Sequence, residues 1–189
     1  MIKYRINLVL FFSFLLLTEN SLFSQQTQDY IYVGEKVCRQ CHHLNGNRNQ
    51  FNQWRSTHHA KAYAVLGNLE SKQIAELSGI DTEPQDSPVC LGCHTTAYSV
   101  EEWEKDESFH LEDGIQCELC HGPGSDYIDE NIMKNREKAI QSGLMFLEER
   151  NCLVCHKEKF SHIAVLNSKE FNYKDDARIS TKYAGFPTK

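Results

Sequence analysis

Eight cysteines and four histidines recur in one pattern, C-x-x-C-H, at four places in the 189-residue chain. The copies are Cys38-Arg39-Gln40-Cys41-His42, Cys90-Leu91-Gly92-Cys93-His94, Cys117-Glu118-Leu119-Cys120-His121 and Cys152-Leu153-Val154-Cys155-His156. In this pattern the two thiols form thioethers with the vinyl groups of a haem, and the histidine ligates the iron from the proximal side. Because every cysteine belongs to a copy, the sequence predicts four covalently attached haem c groups.

Two other uses of paired cysteines compete with this interpretation. Two C-x-x-C pairs can bind zinc through four thiolates, and an exported chain with an even number of cysteines can carry disulfides. Neither use requires a histidine directly after the second cysteine of all four pairs. The trailing histidines therefore favour haem over zinc and over a disulfide framework.

Five further histidines could supply the second axial ligand of an iron: His43, His58, His59, His110 and His162. Histidine on both sides of each iron is typical of pure electron carriers, whereas a five-coordinate iron can bind a small molecule. His43 follows proximal His42 directly and cannot reach the opposite face of the same haem. Helical periodicity favours His58, which lies within an apolar stripe of Phe51, Trp54, Ala62 and Val65. His110 and His162 stay open as ligands or surface residues.

The first 24 residues have the pattern of a secretory signal peptide. Lys3 and Arg5 precede an apolar run from residue 6 to residue 17. That run is shorter than the roughly 20 residues that cross a bilayer, which favours cleavage, after Ser24, over an uncleaved anchor. The sequence thus predicts export to the periplasm, no membrane span after processing, and a single haem-containing domain over residues 25–189.

The elements that carry the motifs are predicted to be mainly α-helical with much irregular loop, a compact unit organised around four haems. Helices are expected over 47–66, 68–77, 129–142 and, in the tail, 171–183, ended by glycines at 67, 79 and 143. Residues 81–87 are predicted to be a loop, and the charged run over 101–107 a solvated face or a loop. No sustained strand alternation is present. The glycines around Pro123 predict a sharp turn after the third motif.

Charge and hydropathy exclude two broad classes of protein. A net charge of −6 offers no basic surface for nucleic acid, and a mean hydropathy of −0.53 with one apolar run excludes a polytopic membrane protein. Haem propionates would make the protein still more acidic. We therefore expect redox partners with basic docking patches.

The motifs and their surroundings resemble the tetrahaem cytochrome c-554 family, whose type member accepts electrons from hydroxylamine oxidoreductase. The resemblance spans roughly residues 33–160. It rests on the order and spacing of the motifs and on matching segments at Trp54 to Ala62, Cys90 to His94, Gly114 to Gly124 and Glu148-Glu149-Arg150.

This resemblance carries expectations about the axial ligands. It implies that His59, rather than His58, is a distal ligand, and it assigns His59 to the third haem. It also implies that the second haem, on Cys90 and Cys93, is five-coordinate and open to nitric oxide or carbon monoxide. Asn131 stands where the family has the distal histidine of the first haem, and the tail lacks the one for the fourth.

The expected function is electron transfer between periplasmic partners, with no catalytic residue of its own. Two alternatives stay open: an enzyme that converts a small nitrogen compound at an open haem, and a non-catalytic subunit of a larger oxidoreductase. Binding of a small ligand to an open iron would favour the enzyme.

Overall fold

The computed structural model describes residues 30–43 and 49–174 of the chain. The described helices are α1 Glu35–His42, α2 Gln50–Arg55, α3 Ala62–Val65, α4 Leu69–Leu77, α5 Pro88–His94, α6 Cys117–His121, α7 Glu130–Met133, α8 Arg136–Gln141, α9 Glu149–Cys152 and α10 Phe160–Leu166. Three single 3-10 turns lie at His59–Lys61, Glu102–Glu104 and Leu111–Asp113. The predicted signal peptide and most of the predicted tail helix lie outside the described residues.

The described part of the chain contains no β-strand, as the sequence predicts. One isolated bridge joins Tyr32 to Lys105. The Tyr32 N–H donates to the Glu104 carbonyl at 2.7 Å, and the Asp106 N–H donates back to the Tyr32 carbonyl at 2.9 Å. The fold is therefore mainly helical, with the irregular segments held by single hydrogen bonds rather than by a sheet.

Each motif lies on a helix or on the turn that follows one. Helices α1, α5 and α6 end at the histidine of their motif, and α9 ends at Cys152. The chain continues from α9 in a tight turn, in which the His156 N–H donates to the Cys152 carbonyl at 2.9 Å. Residues three and four apart on a helix share one face. Both thiols and the imidazole of each motif therefore project from one side of a short, locally formed element.

The helix predicted over 47–66 is broken into α2, a 3-10 turn and α3. Ser56 and Thr57 account for the break, because each hydroxyl donates at 2.7 Å to a carbonyl of the preceding turn, that of Gln53 and of Trp54 respectively. Such local bonds compete with the helical ladder. The break lets the chain turn at His58, and His59 then begins the 3-10 turn.

Asparagine caps explain where two of the next helices begin. Asn68 accepts from the Ser71 N–H at 2.8 Å and begins α4, as predicted. The helix predicted over 129–142 is divided into α7 and α8, because Asn135 caps a second start by accepting from the Lys138 N–H at 3.1 Å. Helix α10 has no counterpart among the predicted helices, and it packs against α4.

The largest fully buried side chains of the described residues are polar. They are Gln116, Glu118, Thr95, Thr96 and Ser87. Large apolar side chains in or beside the motifs are instead exposed, with 62% of Val89, 63% of Val154 and 78% of Phe160 accessible. A conventional core would bury such residues. The polypeptide therefore leaves apolar surface next to the motifs that side chains alone do not cover.

Candidate haem-binding site

The proximal histidines of two motifs are held by backbone carbonyls. His94 Nδ1 contacts the Ala62 carbonyl oxygen at 2.8 Å, and His121 Nδ1 contacts the Met145 carbonyl oxygen at 3.1 Å. A carbonyl only accepts, so each Nδ1 carries the ring proton and Nε2 is left with its lone pair. This is the tautomer that a histidine needs to ligate a metal ion through Nε2.

Thiols of different motifs lie against one another. The Cys38 and Cys117 thiols are hydrogen-bonded, which raises the pKa of Cys38 and lowers that of Cys117. Burial, together with a hydrogen bond to Cys93, raises the pKa of Cys155 to about 11. The first motif is therefore adjacent to the third, and the second to the fourth.

The third and fourth motifs are also neighbours. Burial raises the pKa of Cys120 to about 11, with an additional electrostatic contribution from Cys152. All eight cysteines are free thiols in the structure. The four motifs thus form a continuous series in the order first, third, fourth, second.

His59 faces the proximal histidine of the fourth motif. The two Nε2 atoms of His59 and His156 are 3.4 Å apart, and the ring centroids are 5.7 Å apart. Desolvation lowers the pKa of His59, and the neighbouring His156 lowers it further, which favours the neutral imidazole. The resemblance assigned His59 to the third haem, whereas the structure brings it to the fourth motif.

The main chain of His59 is fixed by the segment that leads into the third motif. Its carbonyl accepts from the Ile115 N–H at 3.1 Å, and the Trp54 indole N–H donates to the Ile115 carbonyl at 2.7 Å. Gly114 permits this approach: it has φ +73°, and a Cβ there would lie 2.9 Å from the His59 carbonyl oxygen. A side chain at 114 would push His59 away.

The other spare histidines occupy different surroundings. His43 Nδ1 contacts the Arg39 carbonyl of its own helix, and His58 and His110 are exposed, as is His59. His162 lies on α10, with its ring centroid 6.5 Å from that of His94. The described residues thus contain two pairs of facing histidine rings, His59 with His156 and His162 with His94.

Asn131, at the place of the first haem's expected distal histidine, lies on α7. That helix is close to the first motif, because Lys134 interacts electrostatically with Cys41. His42 Nδ1 itself contacts Gln50 Oε1 at 3.4 Å. Helix α7 contains no histidine, so it supplies no imidazole to the first motif.

Glu118, inside the third motif, organises the surrounding backbone. Its carboxylate is 2% exposed and accepts from the N–H groups of Val33, Gly34 and Gly124 at 2.8, 2.8 and 2.7 Å. Burial raises the pKa of Glu118, and these three hydrogen bonds oppose the increase. The sequence reasoning missed this residue, although a carboxylate between two cysteines and ahead of a glycine turn was a usable signal.

Gln116 extends the same support towards α1. Its Oε1 accepts from the Glu35 N–H at 2.8 Å, and its Nε2 donates to the His110 carbonyl at 2.7 Å. Together with Glu118 it ties the chain before the first motif to the third motif, which explains why Cys38 and Cys117 meet.

The donor groups present suit covalent haem. Free thiols are paired at the required spacing, histidines of two motifs have the tautomer that leaves Nε2 available, and exposed apolar side chains surround the motifs. Within the described ranges, no group of three or more His, Cys, Asp and Glu side chains is arranged to hold a metal ion. The paired thiols, the available Nε2 atoms and the exposed apolar side chains fit haem c, which when bound supplies one-electron redox chemistry.

Comparison with known proteins found one family match. Residues 37–122 match the family model described as cytochrome c554 and c-prime. Over this segment the chain is similar to c554-type cytochromes. No curated protein and no solved structure matches it significantly. The matched segment contains the first three motifs, His59 and Glu118, whereas the fourth motif, His156 and His162 lie beyond it.

This match supports the general chemistry of a c-type cytochrome, namely covalently attached haem c and a part in electron transfer. Among the described residues, no helix is long and apolar enough to cross a membrane.

Proposed function

We propose that this cytochrome is an exported tetrahaem electron carrier that passes electrons between redox partners in the periplasm. Removal of residues 1–24 would leave one haem-containing domain over residues 25–189. The observation that carries the proposal is the continuous series of motifs, linked through neighbouring thiols. Each thiol becomes part of a haem edge on attachment, so neighbouring thiols imply neighbouring haems.

The proposed path for electrons follows the contacts between motifs. The first and third haems would be neighbours at Cys38 and Cys117, and the second and fourth at Cys93 and Cys155. The third and fourth would join these two pairs near Cys120. Electrons would thus cross the protein in the order first, third, fourth, second, or the reverse.

The proposed axial ligands follow from the histidine geometry. His42, His94, His121 and His156 are the proximal ligands of the four irons. His59 is the distal ligand of the fourth haem, because its Nε2 lies 3.4 Å from that of His156. Two metal–nitrogen bonds of about 2 Å each would separate the nitrogens by about 4 Å, a small displacement from the observed distance.

The acidity of the chain supports basic redox partners. The net charge is −6 before propionates are added. An acidic carrier associates fastest with a partner that presents Lys and Arg side chains, and salt screens this attraction. Electron transfer to such a partner should therefore slow as ionic strength rises.

The mass of the mature protein tests the haem count. Four attached haems should add about 2.5 kDa to the processed polypeptide. Replacing both thiols of the fourth motif, Cys152→Ser with Cys155→Ser, should remove about a quarter of that increment, because a haem without thioethers is not retained covalently.

A His58→Ala variant is the matched control and should keep the full mass, because His58 is exposed and belongs to no motif. The tetrahaem proposal would be contradicted if the unmodified protein gained the mass of only three haems and the cysteine substitutions left that mass unchanged. A mature protein that carries zinc in place of haem would overturn it altogether.

A further inference from the structure

His162, on α10, faces the proximal histidine of the second motif. The ring centroids of His162 and His94 are 6.5 Å apart, and the ring planes are inclined by 37°. Imidazoles on opposite sides of one metal ion have nitrogen–metal bonds of about 2 Å each, which puts their centroids about 6 Å apart. The spacing therefore leaves room for one iron between the two rings.

Both rings can offer Nε2 to that iron. His94 Nδ1 is bound to the Ala62 carbonyl at 2.8 Å. His162 Nδ1 lies 3.4 Å from Ser161 Oγ, so a ring that ligates through Nε2 can donate its Nδ1 proton to this hydroxyl. Each imidazole thus has a partner for one nitrogen and leaves the other for the metal, the usual arrangement of ligating histidines.

The position of His162 is set by packing. Helix α10 lies against α4, and Ser161 is 8% exposed. The Ser78 hydroxyl, directly after α4, is hydrogen-bonded to that of Ser161 at 2.9 Å. His162 therefore projects from an anchored helix, so little conformational freedom would be lost when it binds a metal.

We propose that His162 is the distal ligand of the haem attached to Cys90 and Cys93. This inference rests on the proposed tetrahaem function and revises the expectation that the second haem is five-coordinate. A second imidazole makes this haem six-coordinate and low-spin, and closes it to nitric oxide and carbon monoxide. The second haem then carries electrons and offers no vacant position for catalysis.

Electron paramagnetic resonance of the oxidised holoprotein tests this ligand. His162→Gly should convert one low-spin haem per chain to high-spin, and the reduced variant should bind one additional equivalent of carbon monoxide. Added imidazole should fill the space left by the side chain and restore the low-spin signal. His110→Gly is the matched control and should leave the spectrum unchanged, because His110 is exposed.

Lys159 is the other candidate donor, since its charge reaches His94. If Lys159→Ala, and not His162→Gly, creates the high-spin haem, the assignment to His162 is overturned. An unchanged spin state in a fully loaded His162→Gly protein overturns it as well. Wild type that lacks four haems by mass would instead refute the proposed function.

A second variant covers loss of folding in His162→Gly. His162→Met keeps a ligand in place, so one haem should stay six-coordinate while its reduction potential rises. Potentials identical to those of the wild type, with all four haems attached, would count against the proposal.

Discussion

Replacing Gly114 by alanine should both destabilise the cytochrome and disturb the fourth haem. Gly114 has φ +73° and ψ −135°, a sparsely populated combination that costs about 1–3 kcal/mol for a residue with a Cβ. The new Cβ would lie 2.9 Å from the His59 carbonyl oxygen and 3.3 Å from the backbone nitrogens of Ala62 and Tyr63. Overpacking against such atoms costs about 1–3 kcal/mol.

Together these effects predict a loss of about 2–6 kcal/mol in the free energy of unfolding. A chain of this size loses about 2–4 °C in melting temperature per kcal/mol, so the midpoint should fall by roughly 4–24 °C. Because the displaced carbonyl belongs to His59, a high-spin haem signal should appear at temperatures well below the midpoint. Circular dichroism measures the first effect and electron paramagnetic resonance the second.

Two glycines separate the contributions. Gly79 also has positive φ, +67°, but a Cβ there meets nothing within 4 Å, so Gly79→Ala reports the backbone strain alone. Gly92, inside α5, has neither problem, and its replacement should be neutral or slightly stabilising. If Gly114→Ala costs no more than Gly79→Ala and leaves the spin state unchanged, the argument that Gly114 positions His59 is wrong.

His59→Ala should convert one low-spin haem to high-spin in the oxidised holoprotein, whereas His58→Ala should not. The reason is that the His59 ring lies against His156. The reverse result would assign the distal ligand to His58. Glu118→Gln should lower the free energy of unfolding by about 1–3 kcal/mol, measured in urea at neutral pH. The reason is that an amide nitrogen cannot accept from the backbone N–H groups that the carboxylate binds. An unchanged urea midpoint would refute this role. Iron ligation requires the neutral His59 imidazole, and desolvation and His156 also lower its pKa, so the unfolded chain binds more protons. The stabilisation present above the unfolded pKa of about 6.5 is lost as pH falls through the folded value. The urea midpoint should therefore fall more steeply between pH 7 and pH 5 in the wild type than in His59→Ala; equal slopes would contradict the assignment.

The haem attachment sites could be recognised from the sequence because their chemistry is local. Two thiols and an imidazole within five residues define a motif wherever the chain goes, and a short helix then puts them on one side. The start of α4 was predictable for the same reason, since Asn68 binds an N–H only three residues away. Such interactions depend little on the rest of the fold.

The interrupted helices show what apolar periodicity alone does not predict. Periodicity over 47–66 predicts one helix and favours His58, but the hydroxyls of Ser56 and Thr57 end α2 and turn the chain. His59 is thereby presented in place of His58. Hydrogen bonds from these short polar side chains to their own backbone end the helix despite the apolar stripe. The apolar residues before and after the break can still be buried, because each set belongs to its own short helix.

The sequence by itself determined where the C-x-x-C-H motifs lie, and only the tertiary structure decided which other histidines lie beside the motif histidines. His59 and His156 are 97 positions apart, and they meet because Ile115 and Gly114 hold the His59 main chain. His162 meets His94 because α10 docks on α4, a contact that no periodicity indicates. Attachment depends on neighbours in the chain, whereas a distal ligand must come from across the haem, so its identity depends on packing between distant segments.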